Sequence, residues 1–240
     1  MYRKVYFDTL SSTNTYLKQN YKEYDDKTVI FCGNQTNGHG RLGRNWQSNN
    51  GNVTLSILLK PEILIESVSR LSLMTSVVIY EVVSKYVSNV QIKWPNDILV
   101  SNKKISGILL ESIISNKIEA LIVGIGLNVN QKDFPVDLKT KATSLAIITE
   151  ETFDVAIIID DIIKTFDYFY QDYLKGNHSY LNTCRVHSSI INNNVKINNE
   201  YVYVLDILDS GNLLVRNYMG IEYEIAYGEV TLNEEYISVE

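Results

Sequence analysis

Hydrophobic residues along the first half of the chain come in short runs of β-type spacing, broken by polar turns and by one long stretch of helical spacing. RKVYFD, from Arg3, alternates and is read as a strand. The SSTN that follows offers Ser12 or Thr13 as N-cap of a helix carrying Tyr16, Leu17 and Tyr21. TVIFCGNQ is a second strand that runs straight into a glycine-rich loop, and NVTLSILLKP, β-branched and ending at Pro61, is a third. Residues 66–88 place Val68, Leu71, Met74, Val78 and Val82 at steps of three and four, the stripe of an amphipathic helix. VQIKW and DILV read as short strands around a Pro-Asn break, and NKK turns the chain into the strand ISGILLES. IEALIVGIGLNV is the most apolar strand and is predicted to be central. A second long helix is predicted over about 152–175, with Val155, Ile159, Ile162, Phe166 and Tyr170 on one face and an end near Gly176.

From about residue 187 the texture changes to VKIN, YVYVLDIL, NLLVRN and YEIAYGEVTL, punctuated by the hairpin signals DSGN and MG. A small all-β barrel fits this tail better than any helix. No internal repeat is visible, and INNNVKINN reads as a polar turn beside a strand.

Composition narrows the class. A chain of 240 residues holds one large domain, or one large and one small. With 45% hydrophobic and 21% charged residues and three prolines, it is expected to fold throughout. The net charge of -6 gives no general reason to bind nucleic acid or an anionic membrane, so any basic patch must be local. Cys32 and Cys184 lie far apart with no Cys/His cluster around them, and both are read as reduced thiols packed as small apolar residues. The N-terminus has neither a signal-peptide pattern nor a long apolar run, so a cytoplasmic location is expected.

The segment GHGRLGR, residues 38–44, satisfies the dinucleotide pattern G-x-G-x-x-G. A Rossmann site needs that turn to open a helix whose N-terminus holds pyrophosphate, and here Gly43 leads through RNWQSNNGN to a strand. A Walker loop needs Lys-Ser/Thr after the last glycine, where this chain has Arg44 and Asn45, and no H-R-D or D-F-G of a protein kinase follows. What remains is a loop between strands with two permanent positive charges, suited to gripping carboxylate or phosphate, or simply a solvated hairpin. KWPND (Lys93 to Asp97), KISG (Lys104 to Gly107) and GIGLN (ending at Asn128) add polar chemistry beside strands. Singly, these also fit a turn, a solvated lysine, and a tight crossing of backbones at Gly124 and Gly126.

Taken together and in order, SSTN, QTNGHGRLGRNW, KWPND, KKISGILLE, GIGLNVN and the late GEVTL resemble the biotin protein ligases, which attach biotin to a lysine of biotin carboxyl carrier protein. The resemblance covers essentially the whole chain. It implies an α+β catalytic domain over 1–186, with a mixed or antiparallel sheet related in shape to class II aminoacyl-tRNA synthetases, followed by a small SH3-like β-barrel over 187–240. Some members carry an N-terminal winged helix-turn-helix. This chain starts at the first catalytic strand, so the monofunctional type is expected, without DNA binding.

The resemblance also implies roles. Ser12, Thr13, Asn14 and Gln35 would meet biotin, the first three at its ureido end, whose polar groups need short partners in an apolar pocket. His39, Gly40 and Arg41 would continue that site. Arg41 and Arg44 would hold carboxylate and phosphates, with Trp46 closing over them. Lys104 would reach the biotin carboxyl and the α-phosphate, Gly107 would admit the ligand to the backbone, and Asn96 and Asn128 would serve the nucleotide. Joining a carboxylate to ATP brings two anions together, so arginines, a lysine and Mg²⁺ on the phosphates would neutralise their repulsion, with no dedicated metal cage in the protein. Asp97 would then receive or orient the carrier amine. Lys104, Arg41 and Asp97 are thus the expected catalytic residues, with ATP and biotin as substrates.

One departure stands out. The family's usual Gly-Arg-Gly-Arg has His39 at its first arginine, and an ordinary imidazole, of pKa near ~6.5, is mostly neutral at pH 7. A lipoate-type ligase and a non-catalytic biotin-binding regulator are the alternative functions. A homodimer through an exposed sheet edge is compatible with the pattern.

Overall fold

The computed structural model describes residues 1–48, 51–62 and 68–232. The alternating runs become the strands β1 (Arg3–Leu10), β2 (Thr28–Gln35), β3 (Val53–Leu59), β4 (Val90–Lys93), β5 (Asp97–Val100), β6 (Lys103–Ile114) and β7 (Ile118–Leu127). They form one seven-stranded sheet in the order β1-β2-β3-β7-β6-β5-β4, so the most apolar strand, β7, is indeed central. β1 pairs with β2 in parallel and every other neighbour is antiparallel, which makes the sheet mixed.

Helix α1 (Thr13–Asn20) makes the crossover between the parallel pair. It starts where the side chain of Ser12 accepts from the Thr15 amide, satisfying one of the free donors of the first turn. The first long stripe becomes α2 (Val68–Val83), shorter than the predicted 66–88. Residues 66 and 67 lie outside the described residues, and at the other end the hydrogen bonds tighten to i→i−3 at Lys85 and Tyr86. The second becomes α4 (Val155–Leu174), capped by Asp154 and followed by Gly176 at φ +75°. Between and after them, α3 (Leu145–Thr149) and α5 (Tyr180–Val186) span only two turns or fewer, too short for a periodic signal.

The faces of the sheet bury different things. Val53, Leu55 and Ile57 of β3 and Leu121, Val123 and Ile125 of β7 join α2, α4 and α5 in the main core. The opposite face holds a smaller cluster of Leu17, Ile30, Leu58, Ala120 and Ile122 beneath α1, and the rest of that face carries the site.

The tail forms β8 (Asn194–Ile197), β9 (Glu200–Ile207), β10 (Leu213–Arg216), β11 (Glu222–Ile225) and β12 (Val230–Leu232), an antiparallel sheet in the order β11-β10-β9-β8-β12. YEIAYGEVTL is therefore two strands on opposite edges, because the chain leaves β11 after Ile225 and crosses to pair with β8 as β12. Among the described residues β11 and β12 do not pair, so the strands are not closed into a barrel. Val195, Val204, Leu213 and Val230 belong to the main core, which is thus continuous between the sheets. The indole N–H of buried Trp94 donates to the Gly211 carbonyl at 3.0 Å, and Arg185 donates to the Ile207 carbonyl at 2.7 Å. Cys32 and Cys184 are buried free thiols, with burial raising the pKa of both. Among the described residues no helix is long and apolar enough to cross a membrane.

Candidate active site

Strand register assembles the site. KWPND is a hairpin in which Lys93 and Asp97 face each other across the turn Trp94, Pro95, Asn96. Asp97 is paired in turn with Gly107, Gly107 with Gly126, and Gly126 with Thr54, so one row crosses five strands on a single face. The next row on that face runs Leu109, Gly124, Ser56, Ile30. Three glycines lacking side chains leave a trough, and other residues fill it. A Cβ on Gly126 would lie 2.6 Å from Nε1 of Trp46, one on Gly124 would lie 2.9 Å from Cγ of Asn14, and one on Gly107 would lie 3.1 Å from Nζ of Lys104.

One end of the trough is cationic. Lys104 is ion-paired with Asp97 at 2.6 Å and lies 5.7 Å over the Trp46 ring. Arg41 donates to Oδ1 of Asn96 at 3.1 Å and to the Gly228 carbonyl at 3.0 Å. Asn96 spends its own amide on the Ile108 carbonyl. Arg44 points outward and pairs with Glu229. Burial pulls the Lys93 ammonium below the usual lysine value, with Lys104 and Arg44 adding to that and Asp97 and Glu229 opposing it.

The other end carries uncharged polar side chains, with the Glu111 carboxylate beside them. Gln35 accepts with Oε1 from both the amide (2.8 Å) and the hydroxyl (3.1 Å) of Thr13, while the Ser56 hydroxyl donates to Asn14 Oδ1 at 2.6 Å and lies 2.7 Å from Thr13 Oγ1. The amide of Asn14 donates to the Leu109 carbonyl and to Glu111. Burial works to raise the Glu111 carboxyl, but hydrogen bonds from Lys18 and Asn14 outweigh it and hold the group below the usual glutamate value. His39 reaches the same carboxylate at 4.0 Å.

Of the predicted residues, Thr13, Asn14 and Gln35 meet at the neutral end, and Arg41, Asn96, Asp97, Lys104, Gly107 and Trp46 meet at the charged end. Ser12 is the helix cap. Gly40 lies in the loop, its amide donating to the Arg44 carbonyl. Asn128 is turned inward, 4% exposed, its amide on the Thr143 carbonyl. Thr143 in turn bonds the Lys104 carbonyl, so Asn128 braces the strand behind the lysine. The sequence reading missed Ser56, Glu111 and Glu229. Ser56 and Thr54 are the two polar residues of an otherwise apolar strand, and that break in pattern was the signal for Ser56. Among the described residues no group of three or more His, Cys, Asp or Glu could hold a metal ion.

The chain is similar to known proteins over much of its length. The sequence profile of the Biotin/lipoate A/B protein ligase family matches residues 6–128, just over half of the chain. The bifunctional ligase/repressor BirA of Bacillus subtilis is 38% identical over 176 residues, 71% of this chain and 54% of that protein. The biotin--[acetyl-CoA-carboxylase] ligase of Paracoccus denitrificans is 34% identical over 103 residues, 41% of this chain and 43% of that protein. The chain thus spans about half the length of the curated relatives it matches. Among solved structures, the biotin protein ligase from Aquifex aeolicus in complex with biotin and ATP superposes with a TM-score of 0.80 at 28% identity, covering 96% of this chain and 98% of that one.

Proposed function

Because the chain belongs to the Biotin/lipoate A/B protein ligase family, we propose that it is an ATP-dependent biotin ligase, activating biotin as biotinyl-5'-AMP and transferring it to a lysine of biotin carboxyl carrier protein. One observation carries the reading: the glycine trough joins a neutral, hydrogen-bonding end at Thr13, Asn14 and Gln35 to a cationic end at Arg41 and Lys104. A molecule with a neutral polar head and an acid tail fits that polarity. The matching fold, over nearly the whole chain, of the Aquifex aeolicus biotin protein ligase in complex with biotin and ATP supports it further.

In the first step a biotin carboxylate oxygen attacks the α-phosphorus of ATP and the bond to pyrophosphate breaks. Lys104 bridges the two reacting anions, Arg41 and Arg44 neutralise the phosphates, and Trp46 excludes water. Asn96 serves the nucleotide end, whereas Asn128, turned inward onto Thr143, acts only by bracing the strand of Lys104; Ser12 and the His39-Gly40 backbone complete the biotin end, and Gly107 keeps the strand open to the ligand beside Lys104. The donor set is cationic, and Asp97 and Glu229 are already engaged by Lys104 and Arg44, so it fits polyphosphate rather than a bare metal ion. Mg²⁺ carried on the phosphates would add charge neutralisation. In the second step the carrier amine attacks the anhydride carbonyl, AMP leaves, and Asp97 accepts the proton that the amine sheds.

The unit boundaries we assign are 1–186 for catalysis and 187–240 for an SH3-like β unit. Incubation with ATP, Mg²⁺, labelled biotin and a carrier domain should place label on the carrier lysine, and pyrophosphate exchange should require biotin. Exchange driven by lipoate in place of biotin would assign the chain to the other branch of its family, and no exchange with either would leave a binding protein.

A further inference from the structure

Every residue of the KWPND hairpin but one has an evident task. Trp94 is buried and holds Gly211, Pro95 accepts from Ser72, Asn96 receives Arg41, and Asp97 holds Lys104. Lys93 is left over. Its ammonium is half-buried, which costs free energy, yet among the described residues it makes no hydrogen bond and no ion pair within 4.0 Å. It sits directly across the hairpin from Asp97, on the site face, where the two Cβ atoms of such a pair lie roughly 5 Å apart. The carboxylate it faces is already taken by Lys104 at 2.6 Å.

We infer that Lys93 is the standby counter-ion of Asp97: when Lys104 swings to an anionic ligand, Lys93 takes its place on the carboxylate. The inference rests on the proposed function only in naming that ligand as the biotin carboxylate and the α-phosphate. Without Lys93, moving Lys104 would strand a largely buried carboxylate with no partner, and Lys104 would stay bound where it is not needed. Lys93 is thus a positioning residue that acts through Asp97. The other charges facing it, Arg44 and Glu229, are paired with each other.

Biotin-dependent ATP–pyrophosphate exchange tests this with Lys93→Met, Lys93→Arg, Asp97→Asn and the double variant Lys93→Met/Asp97→Asn, each checked by circular dichroism for folding. Lys93→Met should raise the KM for ATP and biotin about five- to tenfold, what a partly buried ion pair is worth. Lys93→Arg should stay within about twofold of the parent, since the charge is kept. The decisive result is rescue: with Asp97 neutral, Lys104 is free whatever stands at 93, so the double variant should match Asp97→Asn alone. A deficit that persists in the double variant, or none in Lys93→Met, overturns the inference. If the parent shows no biotin-dependent exchange, the functional reading fails separately, and ligand-free amine labelling read by mass spectrometry still decides. Lys104 should then be modified more slowly in Lys93→Met and faster in Asp97→Asn, and equal rates in all variants would again overturn the exchange of partners.

Discussion

At the scale of single residues, the glycines of β6 and β7 matter for what they lack. Gly126→Ala would drive a Cβ into the Trp46 indole, and overpacking of this kind costs about 1–3 kcal/mol. The expected outcome is a lower urea midpoint together with a higher KM in pyrophosphate exchange, because Trp46 must leave the trough. Asp97 carries a different expectation. Asp97→Ala removes the group that receives the carrier amine but also frees Lys104, so adenylate formation should be spared more than transfer to the carrier. Rates of exchange and of carrier labelling measured side by side check this, and equal losses in both would point to a purely structural carboxylate. His39 stands where the resemblance to biotin protein ligases leads one to expect an arginine, and lies 4.0 Å from Glu111. A permanent guanidinium there adds a charge-assisted contact worth roughly 1.5–3 kcal/mol. His39→Arg should therefore slow the escape of biotinyl-AMP, measured by quenched release, and identical release rates would dismiss the idea.

At the scale of elements, α1 and β6 are tied by Asn14 and Lys18 converging on Glu111. The folded carboxyl lies below its usual value, so this link stabilises the fold above the unfolded pKa and is lost as pH falls through the folded one. Glu111→Gln should cost about 1 kcal/mol at pH 7, less than a buried charged hydrogen bond because Lys18 is half-exposed. The gap between the parent and Glu111→Gln in urea midpoint should narrow as pH falls below the ordinary glutamate range. A gap unchanged from pH 7 to pH 3 would mean that the charge is not what binds helix to strand.

At the scale of the whole molecule, the glycine loop is held by the C-terminal sheet, through Arg41 on the Gly228 carbonyl and Arg44 on Glu229. The contacts explain why GEVTL, at the far end of the chain, accompanies the loop motif. Glu229→Ala removes one exposed pair, worth at most about 1 kcal/mol, so cleavage within residues 38–46 in limited proteolysis should quicken by up to about fivefold. The same quickening is expected of the parent at high salt, which screens exposed pairs. If both leave cleavage unchanged, the backbone contact of Arg41 alone holds the loop.

Much of this was legible in the sequence, for physical reasons that are local. The hydrophobic period sets strands and helices, so TVIFCGNQ and the centrality of IEALIVGIGLNV follow from the chain alone, as do a helix start at Ser12 or Thr13, of which Ser12 is the cap, and a stop near Gly176. The motif residues are picked out by their order and their resemblance to biotin protein ligases, since singly each also fits a turn, a solvated charge or a tight backbone crossing. Register and facing could not be read, because they depend on which strands pair. Nothing local says that Lys93, Asp97, Gly107 and Gly126 share one row, that the tail strands stay open between β11 and β12, or that Asn128 turns inward to Thr143. Sequence determined which chemistry was available; only the tertiary pairing of distant segments decided which groups face one another, because a side chain's partners are set by burial and register across the sheet and not by its neighbours along the chain.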